Sequence, residues 1–238
     1  MDLKLAGRKA VITGGSKGIG FAAALALAKE GVDVALISRS QAALEEAAGK
    51  IRAQANVAVE ILAADLATRA GVASAVDRFG DADILVNNAG AIPGGNLLEI
   101  DGDRWRQAWD LKVFGYVDMC RGFLEKMTAR GKGVIINIIG LAGEKLDHKY
   151  IAGTAGNASL IAFTRALGAG SIDKGVRVVG INPGPVATDR LITLLKKRAT
   201  DAFGDPERWP ELTKQMPYGR PAHPEEIAPA VCFLASDL

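Results

Sequence analysis

Short apolar runs alternate along the whole chain with longer segments of helical spacing. The short runs hold mainly valine, isoleucine, leucine and alanine and are bounded by Gly, Asp or Asn, and they read KAVIT, VDVALIS, VAVEIL, DILVN, GVIINII and VRVVGIN. Nearly continuous apolar strands are typical of a parallel sheet that is buried on both faces. The intervening helical segments span 19–29, 41–54, 68–79, 103–130, 150–170 and 224–236.

This order of elements predicts an α/β fold, with a doubly wound, mainly parallel sheet of Rossmann type and helices on both faces. The chain has 238 residues, 49% of them hydrophobic, which is enough to bury one large core. No repeat, low-complexity tract or linker divides it. We therefore expect residues 1–238 to form a single dinucleotide-binding domain.

A glycine-rich turn, TGGSKGIG, follows the first strand and opens the first helix. Gly14 and Gly18 permit tight backbone conformations, and Gly20 lets the helix approach the sheet closely. The free N–H groups and the helix dipole would then face a pyrophosphate, although an ordinary glycine-rich turn is the alternative. The predicted contacts are Gly14, Ser16, Lys17, Gly18, Ile19 and Gly20.

The end of the second strand, LISRS, bears on the choice of nucleotide. A carboxylate at this place binds the adenosine ribose of NAD, whereas an arginine accommodates the 2′-phosphate of NADP. Ser38, Arg39 and Ser40 offer a guanidinium and hydroxyls but no carboxylate, and Lys17 adds a charge nearby. The residues favour NADP over NAD, unless Arg39 and Lys17 are only solvated surface charges.

Four motifs together resemble those of the short-chain dehydrogenase/reductase family. They are TGGSKGIG, NNAG at 87–90, INPGPVATD at 181–189, and the closing YGRPAHPEEIAPAVCFLASDL. The resemblance implies a nicotinamide nucleotide, a small-molecule substrate, and assembly as a homodimer or homotetramer. It also implies further cofactor contacts from Asp65, Leu66, Asn88, Ala89, Gly90, Pro183, Gly184, Val186 and Thr188. Family members usually continue into a final strand beyond FLASDL, so we expect either an incomplete sequence or a sheet without that strand.

The catalytic tetrad of the family, Asn, Ser, Tyr and Lys, has no counterpart in the motifs. Counting back from LIAFTRALG places Gly153 at the Tyr position and Asn157 at the Lys position. Gly140 then falls at the Ser position, and Lys112 at the Asn position. No tyrosine of the chain has a lysine four residues later, and those tyrosines are Tyr116, Tyr150 and Tyr218.

Two of these differences suggest a rearranged site. Lys112 and Asn157 carry the expected amine and amide in exchanged positions, and Tyr150 lies about one helical turn before Gly153. The hypothesis makes Tyr150 the acid or base, Lys112 its charge partner, and Asn157 a contact for the ribose or a water. Alternatively, Lys112 points to solvent, Tyr150 only packs or caps, and Asn157 binds helix backbone. His148 is another candidate proton carrier unless it is simply exposed.

The segment 187–221 departs from the alternation, since it is rich in charge and proline with irregular apolar spacing. It lies between the last strand and the last helix, near the edge where such sheets bind ligands. We expect a substrate lid there, with a surface insertion as the alternative. A run of cations at 196–198 would suit an acidic substrate or a solvated face.

Several classes of partner are disfavoured. A net charge of +2, from 29 basic and 27 acidic residues, provides no broad field for nucleic acid. The two cysteines suit buried thiols, and neither has a His at metal-ligand spacing, so no metal site is expected. No apolar run is long enough for a membrane span or a secretion signal, and the expected location is the cytoplasm.

The sequence therefore predicts an atypical oxidoreductase that transfers hydride between NADP(H) and an alcohol or carbonyl compound. A nucleotide-binding sensor or scaffold without turnover is the alternative. A third possibility is an enzyme that uses the bound nicotinamide for a different reaction, because a fold does not establish chemistry.

Overall fold

A computed structural model describes all 238 residues and contains one sheet of six parallel strands. Their spatial order is β3-β2-β1-β4-β5-β6, so the order reverses between β1 and β4. The strands are β1 (Lys9–Thr13), β2 (Asp33–Ser38), β3 (Val59–Ala63), β4 (Ile84–Asn87), β5 (Gly133–Ile138) and β6 (Val176–Ile181). Each lies within two residues of a predicted run, and the parallel pairing confirms the predicted fold class.

Eight α-helices complete the fold. They are α1 (Gly18–Lys29), α2 (Gln41–Arg52), α3 (Arg69–Phe79), α4 (Gly102–Trp109), α5 (Gly115–Arg130), α6 (Ile151–Ser171), α7 (Asp189–Phe203) and α8 (Pro224–Ala235). No helix is of the length and apolar character that crossing a membrane requires.

Alternate residues of each central strand enter two different apolar cores. On β1, Ile12 packs with residues of α1, α2 and α8, whereas Val11 packs with residues of α3 and α5. Partly buried Phe163 and Leu167 of α6 join the second core. The sheet is therefore covered by helices on both faces, which explains why its strands read as nearly unbroken apolar runs.

The predicted helix at 103–130 is not uniform. A π-helical turn, Asp110–Phe114, separates α4 from α5 and contains Lys112. π-turns within α-helices occur frequently at functional sites. The apolar spacing of this segment fits an uninterrupted helix, so the turn has no signal in the sequence pattern.

The segment 187–221 contains more regular structure than its irregular spacing suggested. It holds α7 and two short 3₁₀ helices, Pro206–Thr213 and Pro217–Gly219. Its two ends meet in a parallel β-bridge between Val186 and Ala222. The Ala187 N–H donates to the Ala222 carbonyl at 2.7 Å, and the Ala222 N–H donates to the Pro185 carbonyl at 2.9 Å. The segment thus leaves and re-enters the domain at one point.

Candidate functional site

The glycine-rich turn has the geometry of an anion-binding cradle. Gly14 and Gly18 adopt φ values of +65° and +58°, which side chains rarely tolerate. A Cβ atom on residue 20 would collide with the carbonyl oxygen of Gly14. No side chain caps the start of α1, and no acidic residue lies in its first turn. The N–H groups of that turn remain available to a pyrophosphate, so these residues fit a dinucleotide.

Asn88 and Ala89 brace this turn from the end of β4. The side-chain amide of Asn88 donates to the carbonyls of Thr13 and Gly14 at 3.2 and 3.3 Å. In return, the Thr13 hydroxyl accepts the N–H groups of Asn88 and Ala89 at 2.9 and 3.0 Å. The two loops at the switch point of the sheet are therefore held together by hydrogen bonds.

The adenosine side of the cleft is lined by residues that follow β2 and β3. Arg39 is exposed, and Ser40 begins α2 by accepting the Ala43 N–H at 3.3 Å. Ser38 lies half-buried at the end of β2, with its hydroxyl 3.5 Å from the Ser40 carbonyl. Asp65 accepts the N–H of Ala67 at 3.0 Å. Next to it, Leu66 is buried.

Residues after β6 form the opposite wall. Thr188 begins α7, and its methyl carbon lies 3.2 Å from the place that a Cβ on Gly18 would take. Exposed Lys17 and Asp189 approach to 3.7 Å across the cleft. The Pro183 carbonyl accepts the N–H of Leu141 at 2.9 Å. Exposed Gly184 and buried Val186 complete this segment. The structure thus brings the predicted cofactor residues after β1, β4 and β6 around one cleft.

Tyr150 fills the space beside Gly153. A Cβ built on residue 153 would overlap ring carbons Cε1 and Cζ of Tyr150. Tyr150 is the residue just before α6, so its ring folds back over the first turn of that helix. The aromatic ring therefore occupies the start of the path that a side chain at position 153 would follow.

The hydroxyl of Tyr150 is bound by Arg190, a residue that the sequence reasoning missed. Nη2 of Arg190 donates to the Tyr150 oxygen at 3.0 Å and also contacts the carbonyl of Ile92. Nη1 donates to the carbonyl of Gly90 at 2.7 Å. Because Arg190 lies in the first turn of α7, one guanidinium joins the segment 187–221 to the loop after β4 and to Tyr150.

Lys112 is buried and has different partners from those expected. Its Nζ donates to the Tyr116 hydroxyl at 2.7 Å and to the Ile138 carbonyl at 2.8 Å, and the Tyr116 hydroxyl donates to the same carbonyl at 2.7 Å. Burial, and then the charge of Arg190, lower the pKa of Lys112 to about 7.

Two expectations for Lys112 are corrected by this geometry. Only 8% of the residue is exposed, so the alternative that it points to solvent is wrong. Lys112 also makes no hydrogen bond to Tyr150, since the cation in direct contact with that hydroxyl is Arg190. The i, i+4 spacing of Lys112 and Tyr116 was the only sequence signal of the contact that does form.

Asn157 is 4% exposed, and its buried side-chain oxygen has no hydrogen-bond partner. Its side-chain nitrogen lies 2.9 Å from the place that a Cβ on residue 140 would take. Gly140 also adopts a φ of +139°, which a serine would rarely accept. Gly140 and Asn157 thus fit one another, and the unpaired amide fits a ribose hydroxyl or a water.

The π-turn and α6 are fixed against each other by Trp109. Its indole N–H donates to the carbonyl of Ala152 at 3.0 Å, and Gly156 leaves room for the ring. This contact sets the position of Lys112 relative to Asn157 and Tyr150. His148, the other candidate proton carrier, is exposed.

Comparisons with known proteins identify the family of this chain. A short chain dehydrogenase model matches residues 8–199. Galactitol 2-dehydrogenase (L-tagatose-forming) of Cereibacter sphaeroides is 34% identical over 98% of this chain and 89% of its own length. L-sorbose reductase of Gluconobacter frateurii, solved with NADPH and L-sorbose, is 35% identical with a TM-score of 0.91, over 100% of this chain and 92% of its own. NAD⁺-bound xylitol dehydrogenase is 26% identical with a TM-score of 0.91, and the match covers 98% of this chain and 94% of the xylitol dehydrogenase chain. The chain belongs to the short chain dehydrogenase family.

Proposed function

We propose that the protein transfers hydride between NADP(H) and a small alcohol or carbonyl compound, with Tyr150 as the acid or base of an atypical site. The relatives support NAD(P)-dependent oxidoreduction of alcohols and carbonyls. The observation that carries the proposal is the position of Tyr150. Its ring takes the space at Gly153, and its hydroxyl is bound by Arg190.

The residues that would hold the cofactor are those of the cleft. The turn at 13–20 and the first amides of α1 would bind the pyrophosphate, and Asp65 and Leu66 the adenine side. Asn157 and the residues 183–188 would lie at the nicotinamide end. When bound, the nicotinamide supplies or accepts the hydride. The relatives include proteins solved with NADPH and with NAD⁺. Exposed Arg39, with no carboxylate beside it in LISRS, supports NADP for this chain.

Four side chains would share the work at the reacting end. Tyr150 gives or takes the proton, and Arg190 holds its oxygen and stabilises the negative charge that develops there. Lys112 adds a second positive charge in the pocket wall, acting through Tyr116 and Ile138 rather than through Tyr150. Asn157 would contact the ribose or a bound water through its unpaired amide.

We also propose that 187–221 is a substrate lid. It is joined to the domain at the Val186–Ala222 bridge, and it carries Arg190 to the Tyr150 hydroxyl. Closure of the lid would thus assemble the acid–base group. Self-association as a homodimer or homotetramer belongs to the same proposal, since Phe114 of the π-turn is 54% exposed. Both cysteines are free, which favours a reducing compartment such as the cytoplasm.

Two measurements on the wild-type protein test this function. NADPH and NADH are titrated by nucleotide fluorescence, and a panel of ketones, aldehydes, oxo acids and alcohols is screened for change in nicotinamide absorbance. The proposal predicts tighter binding of NADPH and turnover of at least one compound. Saturable NADPH binding without any hydride transfer would favour the sensor or scaffold instead.

A further inference from the structure

Two basic side chains lie in the reacting end of the cleft without a carboxylate partner. Arg190 donates only to neutral oxygens, which are the carbonyls of Gly90 and Ile92 and the hydroxyl of Tyr150. Buried Lys112 donates to Tyr116 and to the carbonyl of Ile138, which are neutral as well. Charges removed from water are costly when no opposite charge is near. The pocket therefore has positive charge that the chain itself does not neutralise.

The two side chains are close enough to affect each other, because the charge of Arg190 contributes to the lowered pKa of Lys112. The nearest acidic residue in sequence, Asp189, is paired with Lys17 at 3.7 Å, and both of those side chains are exposed. A ligand that brings a negative charge to Arg190 would thus favour the protonated form of Lys112 as well as form new bonds.

Arg190 also keeps hydrogen-bonding capacity for such a ligand. A guanidinium has five N–H donors, and Arg190 uses three of them within the chain. The two that remain are the Nε N–H and one N–H of Nη1, and each can donate a charge-assisted hydrogen bond to a carboxylate oxygen. Because the side chain is half-buried, the remaining donors are neither sealed in the core nor fully hydrated.

The position of Tyr150 limits how far that anion is from the reacting carbon. Arg190 donates directly to the hydroxyl that would carry the proton, at 3.0 Å. A carboxylate oxygen bound to one of the remaining donors of the same guanidinium therefore lies near the group that Tyr150 protonates. This closeness suits a molecule whose carboxylate is attached directly to its carbonyl or carbinol carbon.

We propose that the substrate is a 2-oxo acid or the corresponding 2-hydroxy acid, with its carboxylate bound by Arg190. The proposal depends on the oxidoreductase function above. In the reducing direction, the carbonyl carbon gains a hydride from NADPH and the carbonyl oxygen takes the proton of the Tyr150 hydroxyl. The products are the 2-hydroxy acid and NADP⁺, and the Tyr150 phenolate regains a proton from water.

The substrate test compares a series of 2-oxo acids with the primary amide of each, on the wild-type protein with saturating NADPH. The proposal predicts that kcat/KM favours the acid over its amide by about 10- to 100-fold, the size of a charge-assisted hydrogen bond. Equal or better turnover of the neutral amides would overturn the substrate class while leaving the oxidoreductase function in place.

A binding test does not depend on turnover. Oxamate, an unreactive analogue of a 2-oxo acid, and neutral oxamide are titrated calorimetrically into the protein–NADPH complex. Oxamate is expected to bind and oxamide is not, and absence of oxamate binding would contradict the carboxylate site. Oxamate binding without reduction of any 2-oxo acid would retain the carboxylate site and contradict the substrate class, and the oxidoreductase function would then depend on the wider panel of ketones, aldehydes and alcohols.

Variants of α7 connect the binding to Arg190. Arg190→Gln is expected to weaken oxamate binding by about 10- to 100-fold, and Arg190→Lys by less, because lysine keeps the positive charge. The matched control is Lys196→Gln, which removes a cation of the same helix that pairs with Glu207 at 2.7 Å. If Arg190→Gln does not fold, the carboxylate site is tested by Arg190→Lys and by the two wild-type comparisons, which are acid against amide turnover and oxamate against oxamide binding. Unchanged oxamate affinity in a folded Arg190 variant would contradict the assignment.

Discussion

The ring of Tyr150 lies where the side chain of residue 153 would begin, and only a glycine at 153 permits this. Asn157 and Gly140 are related in the same way, since a Cβ on residue 140 would crowd the Asn157 amide. These differences from the family pattern are therefore matched in space. In the candidate site, the ring of Tyr150 occupies the start of the space that the usual tyrosine would take.

The fit between Gly153 and Tyr150 predicts a large effect from a single methyl group. Gly153→Ala should destabilise the protein by about 1–3 kcal/mol, because the new Cβ would overlap the ring and force it to move. Urea unfolding measures the change. Gly49→Ala is the matched control, since nothing lies within 4 Å of its Cβ position in α2. That variant should be about 0.5–1 kcal/mol more stable than the wild type.

A double variant separates the steric cause from a general intolerance of substitution in α6. In the Tyr150→Ala background, Gly153→Ala should cost far less than in the wild type, because the overlapping ring is gone. An equal cost in both backgrounds would contradict the account of this pair.

The burial of Lys112 predicts a dependence of stability on pH. The pKa of Lys112 is about 7 in the folded chain against 10.5 ordinarily, so between these values the unfolded chain binds a proton that the folded chain does not. The free energy of unfolding that Lys112 contributes should therefore rise as pH increases from 7 towards 10.5. Urea unfolding of wild type and Lys112→Met at several pH values measures this as a difference.

Comparing the wild type with Lys112→Met also removes the contribution of other titrating groups that the two proteins share. Burial raises the pKa of Cys120 and of Cys232 to about 12, which opposes the rise at higher pH in both proteins alike. Lys29→Met, at an exposed position, is the control, and its free energy of unfolding should change with pH as in the wild type. If Lys112→Met also kept the pH dependence of the wild type, Lys112 would not titrate in the way that its burial predicts.

The choice of nucleotide depends on Arg39. Arg39→Gln should weaken NADPH binding by about 10- to 100-fold, because a charge-assisted bond to the 2′-phosphate is lost, and should leave NADH binding nearly unchanged. Fluorescence titration measures both. Arg104→Gln, at an exposed position of α4, serves as the control. Equal losses for NADPH and NADH would show that Arg39 does not read the 2′-phosphate.

The sequence predicted the fold well because its signals are local. Apolar runs such as VDVALIS and the turn TGGSKGIG carry their meaning within a few residues, and the strands and α1 appear where these patterns lie. The single helix expected at 103–130 was wrong because a π-turn depends on distant contacts. Trp109 bonds to Ala152, and Lys112 to Ile138.

The candidate site was predicted only in part, because it too depends on contacts between residues that are distant in the sequence. Arg190 contacts Gly90, Ile92 and Tyr150, which are 40 to 100 positions away in the chain. In sequence it is an isolated arginine after a threonine and an aspartate, a common pattern at the start of a helix. Its role becomes visible only when α7 is placed against the loop after β4.

The most direct test of the account is hydride transfer by Tyr150→Phe, measured in a single turnover of NADPH with a substrate found in the screen. The variant removes only the hydroxyl that Arg190 binds, and Tyr218→Phe, at a residue that is 96% exposed, is its control. The account predicts a rate about 10²–10⁴-fold below wild type with NADPH affinity retained, since this is the usual contribution of an acid–base group. A Tyr150→Phe protein that transfers hydride at the wild-type rate would contradict it.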